Sequence, residues 1–515
     1  MNTFLYKFYI TSHITHHISH IKAMEAIFIY FGGAVLIAAT TYFIHNKLID
    51  HLLFVPFLLL QVGFNAYAMM NIGNPINEYF RFDELGVLFM TVLSIISVPV
   101  CVHSIISAHR RQEECKEIRI HNAALMIFIT MMTGVLISAH LGILWAFLEA
   151  TTLSVAALIY HERNSMALEA TWKYVFVASI GIAMAFLGIL FLAVASKDAA
   201  EAHLSISELL TNIKEMNPTW LKMSFLFILT GFSVKIGIVP LFTVDIDAKD
   251  AAPSAIGALL SGGLLNVGFV AVFRFYQVFA QSDILAWMNN VLLLVGTASI
   301  LFAAVYLMKV KNYKRMFAYS SVEHAGIAFL ALASGGIGYF VCIFHLVLHS
   351  FVKSGIFLQL GQVQHIFRIK NTDQTGEYMR LNPFGAGVLV LGFLSITAMP
   401  PSGLFITEFL AFKALFVSKH YFIAGFSLLL LTFIIYGIGK NILHLLFQKL
   451  PQNNKEISIE TNAEIERNAK HISPLESVSQ YILIISGIYL GFFPPDILVD
   501  CINKIVAFLP NAVLM

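Results

Sequence analysis

Long apolar stretches separated by short polar segments recur along the whole chain, and this pattern is its most regular feature. Most stretches are close to the roughly 20 apolar residues that a helix needs to cross a hydrocarbon core about 30 Å thick. They lie at about residues 25–44, 52–70, 84–107, 121–139, 142–160, 172–196, 222–243, 254–276, 285–308, 316–334, 338–363, 384–414, 421–447, 477–493 and 496–512. We therefore predict an all-α polytopic membrane protein with about 14 to 15 transmembrane helices, of which the last is marginal.

Composition agrees with this prediction and excludes a soluble domain. Hydrophobic residues make up 58% of the 515 residues and charged residues only 12%, whereas globular proteins are about 25% charged. The four cysteines are scattered without C-x-x-C spacing, and iron–sulfur and zinc sites need clustered ligands. The sequence therefore predicts no cofactor and no metal on this chain, and nothing in its net charge of +2 indicates a nucleic-acid partner.

Residues 1–23 are unusual because they hold His13, His16, His17 and His20 among Ser, Thr and Ile. A metal-binding arm or a targeting peptide is an alternative interpretation of this segment. It lacks the order of basic region, apolar region and small-residue cleavage site that defines a signal peptide. We interpret it as an unstructured extension ahead of Met24.

The positions of Lys and Arg predict the orientation of the chain, because cytoplasmic loops are enriched in these residues. One side collects Arg110, Arg111, Lys116, Arg119, Lys309, Lys311, Lys314, Arg315, Arg368, Lys370, Arg380, Lys449, Lys455, Arg467 and Lys470. The other side has mainly Arg81, Lys197, Lys214, Lys222 and Lys419. The first side is therefore predicted to be cytoplasmic, in a bacterial-type inner membrane, with the N-terminus outside.

The chain also shows signs of internal duplication. Two groups of five helices follow one another, and the fourth helix of each combines proline with a charge, Lys235 with Pro240 and Glu408 with Pro400-Pro401. Proline breaks the helix ladder, and broken helices at matching positions of two halves indicate an ion site between inverted repeats. We predict six parts, which are an extension (1–23), three N-terminal helices (24–120), two five-helix half-channels (121–276 and 277–447), a cytoplasmic linker (448–476) and one or two C-terminal helices (477–515).

The segment around His345, His349 and Lys353 places three protonatable groups in one apolar helix. Spacings of four residues put them on one helix face, spread over roughly 12 Å of depth at 1.5 Å per residue. A lone intramembrane histidine is usually a satisfied polar residue, but this register is hard to explain by packing. Ionisable residues at such depth normally face a bundle interior and mark a charge pathway, so we predict a proton relay.

A second set of polar residues lies in the first half of the chain. Glu149 is the only charge in its helix and needs a proton or a cation partner, which we expect to be Lys235. A lysine held by a switchable partner suits gating of proton uptake and release. Lys173 and Asn266 extend this polar line, although Lys173 lies near a helix start and a snorkelling lysine is an equal alternative.

Further candidates lie in the second half. Glu408 follows the second proline break, and we predict a terminal proton donor or acceptor there rather than a helix cap. Glu323 and His324 are expected at the start of a helix near the cytoplasmic face. They would either feed the relay or contact a partner subunit, and the sequence leaves both open.

Taken in order, these residues resemble the antiporter-like proton-translocating subunits of respiratory complex I, Mrp antiporters and group 4 hydrogenases. The resemblance covers about residues 80–445 and begins at the Phe-Asp-Glu-Leu-Gly-Val-Leu-Phe of 82–89. Two blocks are most similar to the hydrogenase-4 component F branch, Asn-Tyr-Lys-Arg-Met-Phe-Ala-Tyr-Ser-Ser-Val-Glu-His-Ala-Gly at 312–326 and Ala-Leu-Leu-Ser-Gly-Gly-Leu-Leu-Asn at 258–266.

The resemblance implies roles by position. Glu149 and Lys235 match the glutamate–lysine pair of the family's first half-channel, and His345, His349 and Lys353 match its central relay. Glu408 falls where the family has a terminal Lys or Glu in the second broken helix.

One segment departs from the family pattern P-x-H-x-W-L-P-D-A-H. Residues 240–249 read Pro-Leu-Phe-Thr-Val-Asp-Ile-Asp-Ala-Lys, which lacks both histidines, and Asn266 stands where many members have Lys. Proton uptake into the first half would then depend on Asp245, Asp247 and water, or that half would be impaired.

The resemblance implies a non-redox, proton-translocating subunit of a complex I-like or hydrogenase-like oxidoreductase, with other membrane subunits as partners. A cation/proton antiporter subunit of the Mrp type, carrying Na⁺ as well as protons, is the second hypothesis. A membrane subunit that energises uptake of inorganic carbon is the third. The helix count and the block at 312–326 favour the first.

Overall fold

The computed structural model describes residues 2–73, 76–195, 204–450 and 455–515, and nearly all of them are helical. The helices are α1 (Asn2–Phe43), α2 (Lys47–Leu52), α3 (Phe54–Met70), α4 (Glu84–Arg111), α5 (Cys115–Ile137), α6 (Leu141–Ile159), α7 (Ser165–Ala195), α8 (Ile206–Asn212), α9 (Pro218–Ile236), α10 (Thr243–Ala251), α11 (Ser254–Leu259), α12 (Leu265–Phe279), α13 (Leu285–Leu307), α14 (Tyr313–Ser334), α15 (Ile337–Phe367), α16 (Tyr378–Leu381), α17 (Pro383–Ile396), α18 (Gly403–Val417), α19 (Tyr421–Phe447), α20 (Lys455–Lys470), α21 (Val478–Phe492) and α22 (Asp496–Val506).

The predicted fold class, an all-α polytopic membrane protein, is confirmed. Within the described residues, 13 helical segments are long and apolar enough to cross a membrane. The helices α17 and α18 are each too short, and together they form one further, broken span. The last predicted span ends as α22, whose 11 residues rise only about 16 Å and cannot cross the hydrocarbon core.

Two segments differ from the sequence-based expectation. The helix α1 starts at Asn2, whereas the sequence indicates an unstructured extension up to residue 23; the side chains of residues 1–21 lie outside the described part. The predicted linker contains the helix α20, which buries Ile465 and Ala469. These residues are four apart and share one helix face, so a mostly polar segment can still pack on the bundle.

The helices that carry the candidate site lie at the centre of the bundle. In the spans 254–279, 313–334 and 337–367, every residue of the most apolar window is buried, against 28% at 22–43 and 33% at 47–70. Polar side chains of the central helices α12, α14 and α15 therefore face protein rather than lipid. The outer helices α1 and α3 present exposed apolar side chains instead.

Both predicted helix breaks are present, and local chemistry explains the first. The helix α9 ends at Ile236 because Gly237 adopts a left-handed conformation, with φ of 78°. A Cβ at Gly237 would lie 2.6 Å from a carboxylate oxygen of Asp245, so only glycine lets this turn close on α10. The second break separates Ile396 from Gly403, and Ser402 caps α18 by accepting from the Phe405 amide at 3.2 Å.

A buried arginine joins three helices at the predicted outer face. Arg274, in α12, donates through Nη1 to the carbonyl oxygens of Val135, at 3.2 Å, and Ser138. Its Nη2 donates to the carbonyl oxygen of Leu136 at 2.6 Å and to the carboxylate of Asp83 at 3.1 Å. The guanidinium therefore satisfies the free carbonyl groups at the end of α5 and, through Asp83, fixes the start of α4.

We expect Arg274→Met to destabilise the protein by about 3 kcal/mol, because it leaves Asp83 and the α5 carbonyl groups without a buried partner. Thermal unfolding of the detergent-purified protein measures the loss. Arg81→Met removes an exposed arginine close to Asp83 in the chain and serves as the control. Equal melting temperatures for the two variants would contradict the role given to Arg274.

Candidate functional site

Lys235 is the first buried charge of the site and sits at the end of a half-helix. Its side chain is 1% exposed, in the last turn of α9. The ammonium donates to Oγ1 of Thr152 at 2.7 Å and of Thr151 at 3.1 Å, and to the hydroxyl of Tyr174 at 3.3 Å. The free carbonyl groups at a helix C-terminus carry partial negative charge, so the break after α9 favours a cation at this position.

Glu149 does not form the direct ion pair with Lys235 that the sequence predicts. Instead, Thr152 donates to Oε2 of Glu149 at 3.3 Å while it accepts from Lys235, so one hydroxyl joins the two groups. Ser179 donates to the other carboxylate oxygen at 3.0 Å. A hydroxyl in this position can accept a proton from one side and donate one to the other.

A buried ion pair on α10 follows the first break. Lys249 is 0% exposed and contacts Oδ2 of Asp245 at 2.5 Å. The charge of Asp245 also acts on Lys235 in the first half and on Lys353 in the second. The pair therefore lies between the two sets of candidate residues, at the position where the resemblance expects a histidine and the chain has Lys249.

Two residues predicted for this region lie at its edge instead. Asp247 is 21% exposed and pairs with Arg315 at 2.8 Å, with Lys173 3.9 Å away. Lys173 is 51% exposed and contacts Glu169 at 2.5 Å. The face of α7 that carries Lys173 points outward, so Lys173 does not lie in the buried line. The alternative of a snorkelling lysine describes its position.

Asn266 connects the two halves at the centre of the bundle. Its Nδ2 donates to Ser350, beside His349 on α15, at 2.7 Å and to the carbonyl oxygen of Gly262 at 2.9 Å. A π-helical turn at Leu260–Leu264 precedes it, and such turns recur at functional sites. A Cβ at Gly262 would lie 2.2 Å from Oγ of Ser354, so glycine allows α15 to approach this closely.

The three residues predicted as a ladder on α15 are all fully buried and lie against α14. Lys353 donates to the carbonyl oxygen of Phe317 and to Oγ of Ser320, both at 2.5 Å. Both ring nitrogens of His345 lie within hydrogen-bond distance of a partner, whereas neither nitrogen of His349 has one within the described residues. The ring centroid of His349 lies 5.2 Å from that of His324.

His324 and His345 face each other with fixed orientation. Nε2 of His324 must donate to the carbonyl oxygen of Ile396, at 2.9 Å, because that oxygen can only accept. Oγ1 of Thr407 lies 2.8 Å from Nδ1 of His345 and 3.0 Å from the carbonyl oxygen of Leu404, so its hydroxyl can donate to either. Nδ1 of a neutral His324 is an acceptor, and it lies 3.1 Å from Nε2 of His345.

The carboxylates of Glu408 and Glu323 complete this cluster. Oε1 of Glu408 lies 3.5 Å from Nδ1 of His324, and the carboxylate of Glu323 lies 3.7 Å from Nε2. Ser402, not Glu408, caps α18. Glu323 and His324 lie in the middle of α14 because this helix begins at Tyr313, and both are buried within the chain. Their position fits participation in the cluster rather than contact with a partner subunit.

Several buried polar atoms beside these residues have no hydrogen-bond partner within the described part of the chain. They are Oδ1 of Asn266, Oγ of Ser261, both ring nitrogens of His349 and Oε2 of Glu323. Buried polar groups without protein partners are normally satisfied by water. The central line therefore has the character of a hydrated path.

A polar cavity of about 310 Å³ opens at the predicted cytoplasmic side. It is lined by residues that include His103, Arg110, Glu113, His161 and His365. Burial disfavours the charge of Glu113, but the hydrogen bond from His161 and the nearby positive charges outweigh it and hold the pKa of Glu113 below its usual value. The cavity also reaches α15 at Gln362, two to three turns beyond Lys353.

Sequence reasoning missed Thr152, Tyr174, Thr407 and the pairing of Lys249. Hydroxyl groups in transmembrane helices usually bond to their own backbone, so their positions in the sequence carry no distinguishing signal. One signal could have identified Lys249 as a further buried cation. The segment 240–249 that contains it begins with a helix break.

Comparison with known proteins identifies the family of this chain. Residues 138–434 match the family described as NADH:quinone oxidoreductase/Mrp antiporter, transmembrane, and this is more than half of the chain. The chain belongs to this family. It is 30% identical over 370 residues to a hydrogenase-4 component F homolog of Methylacidiphilum infernorum, covering 70% of this chain and 77% of the relative. It is 26% identical over 469 residues to NADH-quinone oxidoreductase subunit N 2 of Chloroherpeton thalassium, covering 87% of each.

Solved structures show the same fold. A chain of the membrane-bound sulfane sulfur reductase, an archaeal respiratory membrane complex, superposes with a TM-score of 0.79 at 20% identity, covering 95% of this chain and 97% of the other. A chain of the Mrp complex from a Dietzia species superposes with a TM-score of 0.77 at 15% identity, covering 94% and 97%. This family member therefore has the fold of a multi-pass membrane protein.

The hydroxyl of Thr152 is expected to couple Lys235 to Glu149. In a double-mutant cycle, Lys235→Met and Glu149→Gln should show a coupling of about 0.5–3 kcal/mol in thermal stability. In a Thr152→Val background the coupling should fall towards zero. Thr171→Val is the control, because Thr171 bonds only to its own helix at Ala167. Additive effects in the wild-type background would show that the two charged residues do not interact.

Proposed function

We propose that this subunit conducts protons across the membrane along the buried polar line, within a multisubunit complex of the complex I or hydrogenase type. The observation that carries the proposal is the continuity of the line through the central helices. It runs from Glu149 and Lys235, past the Asp245–Lys249 pair, to Lys353 and the histidine cluster, and it ends at Glu408.

The two helix breaks support this function because they stabilise opposite charges. Lys235 lies at the C-terminal end of α9, where the helix favours a cation, and Glu408 lies in the second turn of α18, nearer the end that favours an anion. Proton movement needs groups that change charge without losing their place in the core. A broken helix offers such a group a fixed dipole in place of water.

The centre of the line supports transfer between the halves. Asp245 interacts electrostatically with Lys235 and Lys353, so protonation of either lysine changes the field at the other through one shared carboxylate. Lysine shifts its pKa readily when its environment changes. The arrangement therefore links protonation of the lysine in the first half to protonation of the lysine in the second half.

We propose that the subunit lies in a bacterial-type inner membrane. The Lys and Arg distribution supports an orientation with the basic face and the polar cavity on the cytoplasmic side and the N-terminus outside. Labelling of a single cysteine placed at Lys419 by a membrane-impermeant reagent from outside decides the orientation. Sodium transport, as in an Mrp-type antiporter, is the competing function, and it predicts flux that stops without Na⁺.

Loss of a relay member should stop proton movement without preventing membrane insertion. We expect Lys353→Met and His349→Ala each to reduce proton flux by at least about tenfold, since a positioned proton-transfer group is removed. Flux is measured in vesicles that contain the reconstituted complex at matched protein levels, in Na⁺-free buffer.

Lys309→Met is the control for this experiment, because Lys309 is an exposed lysine outside the line. Wild-type flux in both relay variants would remove α15 from the pathway. Flux that appears only when Na⁺ is added to the wild type would instead favour the antiporter function.

The two aspartates of α10 should differ in importance. Asp245→Asn leaves Lys249 as an uncompensated buried charge, a change that costs about 3–5 kcal/mol when fully desolvated, so we expect strongly reduced flux. Asp247→Asn removes a partly exposed ion pair worth about 0–1 kcal/mol and should leave flux close to wild type. This revises the sequence-based expectation, which gave both aspartates a role. Equal flux in the two variants would show that the Asp245–Lys249 pair is not part of the pathway.

A further inference from the structure

The cluster of His324, His345 and Glu408 has the composition and geometry of a metal site. One ligand atom from each residue lies within 4.8 Å of the others, and all three residues are buried. Two imidazoles and a carboxylate form a donor set that zinc uses in proteins. The sequence predicts no metal because its cysteines are scattered, and these three residues come from three different helices.

The hydrogen bonds around the cluster leave the right electron pairs available. The bond that His324 donates to Ile396 leaves Nδ1 of the neutral ring with a lone pair, 3.1 Å from Nε2 of His345. Rotation of the Thr407 hydroxyl allows it to accept from Nδ1 of His345, which leaves a lone pair on Nε2 as well. These two bonds are outer contacts of the kind that orient histidine ligands in known metal sites.

The distances fit a small tetrahedral ion. With metal–ligand bonds of about 2.0–2.1 Å, ligand atoms at tetrahedral angles lie about 3.3–3.4 Å apart. Nδ1 of His324 is 3.1 Å from Nε2 of His345 and 3.5 Å from Oε1 of Glu408. The remaining ligand pair lies within 4.8 Å, which rotation of the Glu408 side chain can shorten.

A further imidazole lies beside the cluster. His349 is fully buried, its ring centroid lies 5.2 Å from that of His324, and neither of its nitrogens has a hydrogen-bond partner among the described residues.

We propose that His324, His345 and Glu408 bind a divalent transition-metal ion such as Zn²⁺. A metal at this position occupies the lone pairs of both facing imidazoles. Proton transfer between the two rings then stops, so the metal acts as an inhibitor. This inhibition rests on the proposed function, whereas the binding of the metal does not.

The test uses the purified complex, first treated with a chelator and then given Zn²⁺ alone. We expect wild type to retain one more zinc per complex than Glu408→Gln, with imidazole nitrogens at about 2.0–2.1 Å in its X-ray absorption spectrum. His365→Ala removes another histidine of α15, outside the cluster, and should retain the same zinc as wild type. Thr407→Val removes only the hydroxyl beside Nδ1 of His345, and it should weaken zinc binding about 10–100-fold.

Equal zinc content in wild type and Glu408→Gln, or a first shell without imidazole, would overturn the site. The spectrum of the wild type gives this answer even if a variant does not assemble. Proton flux is measured separately, with and without Zn²⁺. Zinc bound at the cluster with unchanged flux would support the site and count against the proposed proton path. The remaining outcome is an intermediate zinc concentration that abolishes proton flux in the wild type but not in Thr407→Val. This result would support both the metal site and the proposed proton path.

Discussion

Every charge inside an apolar bundle must be satisfied by the chain itself, and this constraint organises the structure. Lys235 is held by two threonines and a tyrosine, Lys353 by a carbonyl oxygen and a serine, and Lys249 by Asp245. An isolated charge at this depth costs at least roughly 2.5–3.5 kcal/mol. The central helices are therefore surrounded by protein on all sides, and the outer helices shield them from lipid.

The same constraint separates structural charges from those suited to transport. Arg274 is fixed by three carbonyl oxygens and a carboxylate, so its guanidinium, which does not lose its proton in proteins, acts as a permanent link between helices. Lys235 of the central line is held by three hydroxyl groups, which donate as well as accept. Such partners tolerate both charge states of a lysine, as the proposed proton path requires.

The histidine cluster shows how neighbouring hydrogen bonds define the chemistry of a site. Ile396 and Thr407 belong to the segments on either side of the second helix break, and each fixes one ring. The break therefore does more than place Glu408 in the core, because it also supplies the carbonyl oxygen and the hydroxyl that orient His324 and His345.

The sequence by itself determined the helical membrane fold, the two proline breaks and several of the buried charges. These follow from local pattern, since apolar length predicts a span and proline interrupts a helix wherever it occurs. It placed His345, His349 and Lys353 on one face by helical spacing alone. It could not show that Thr152 lies between Lys235 and Glu149, that Lys173 faces outward, or that His324 meets His345 and Glu408. Those relations join residues from different helices, and only the packing of the helices decides which faces meet.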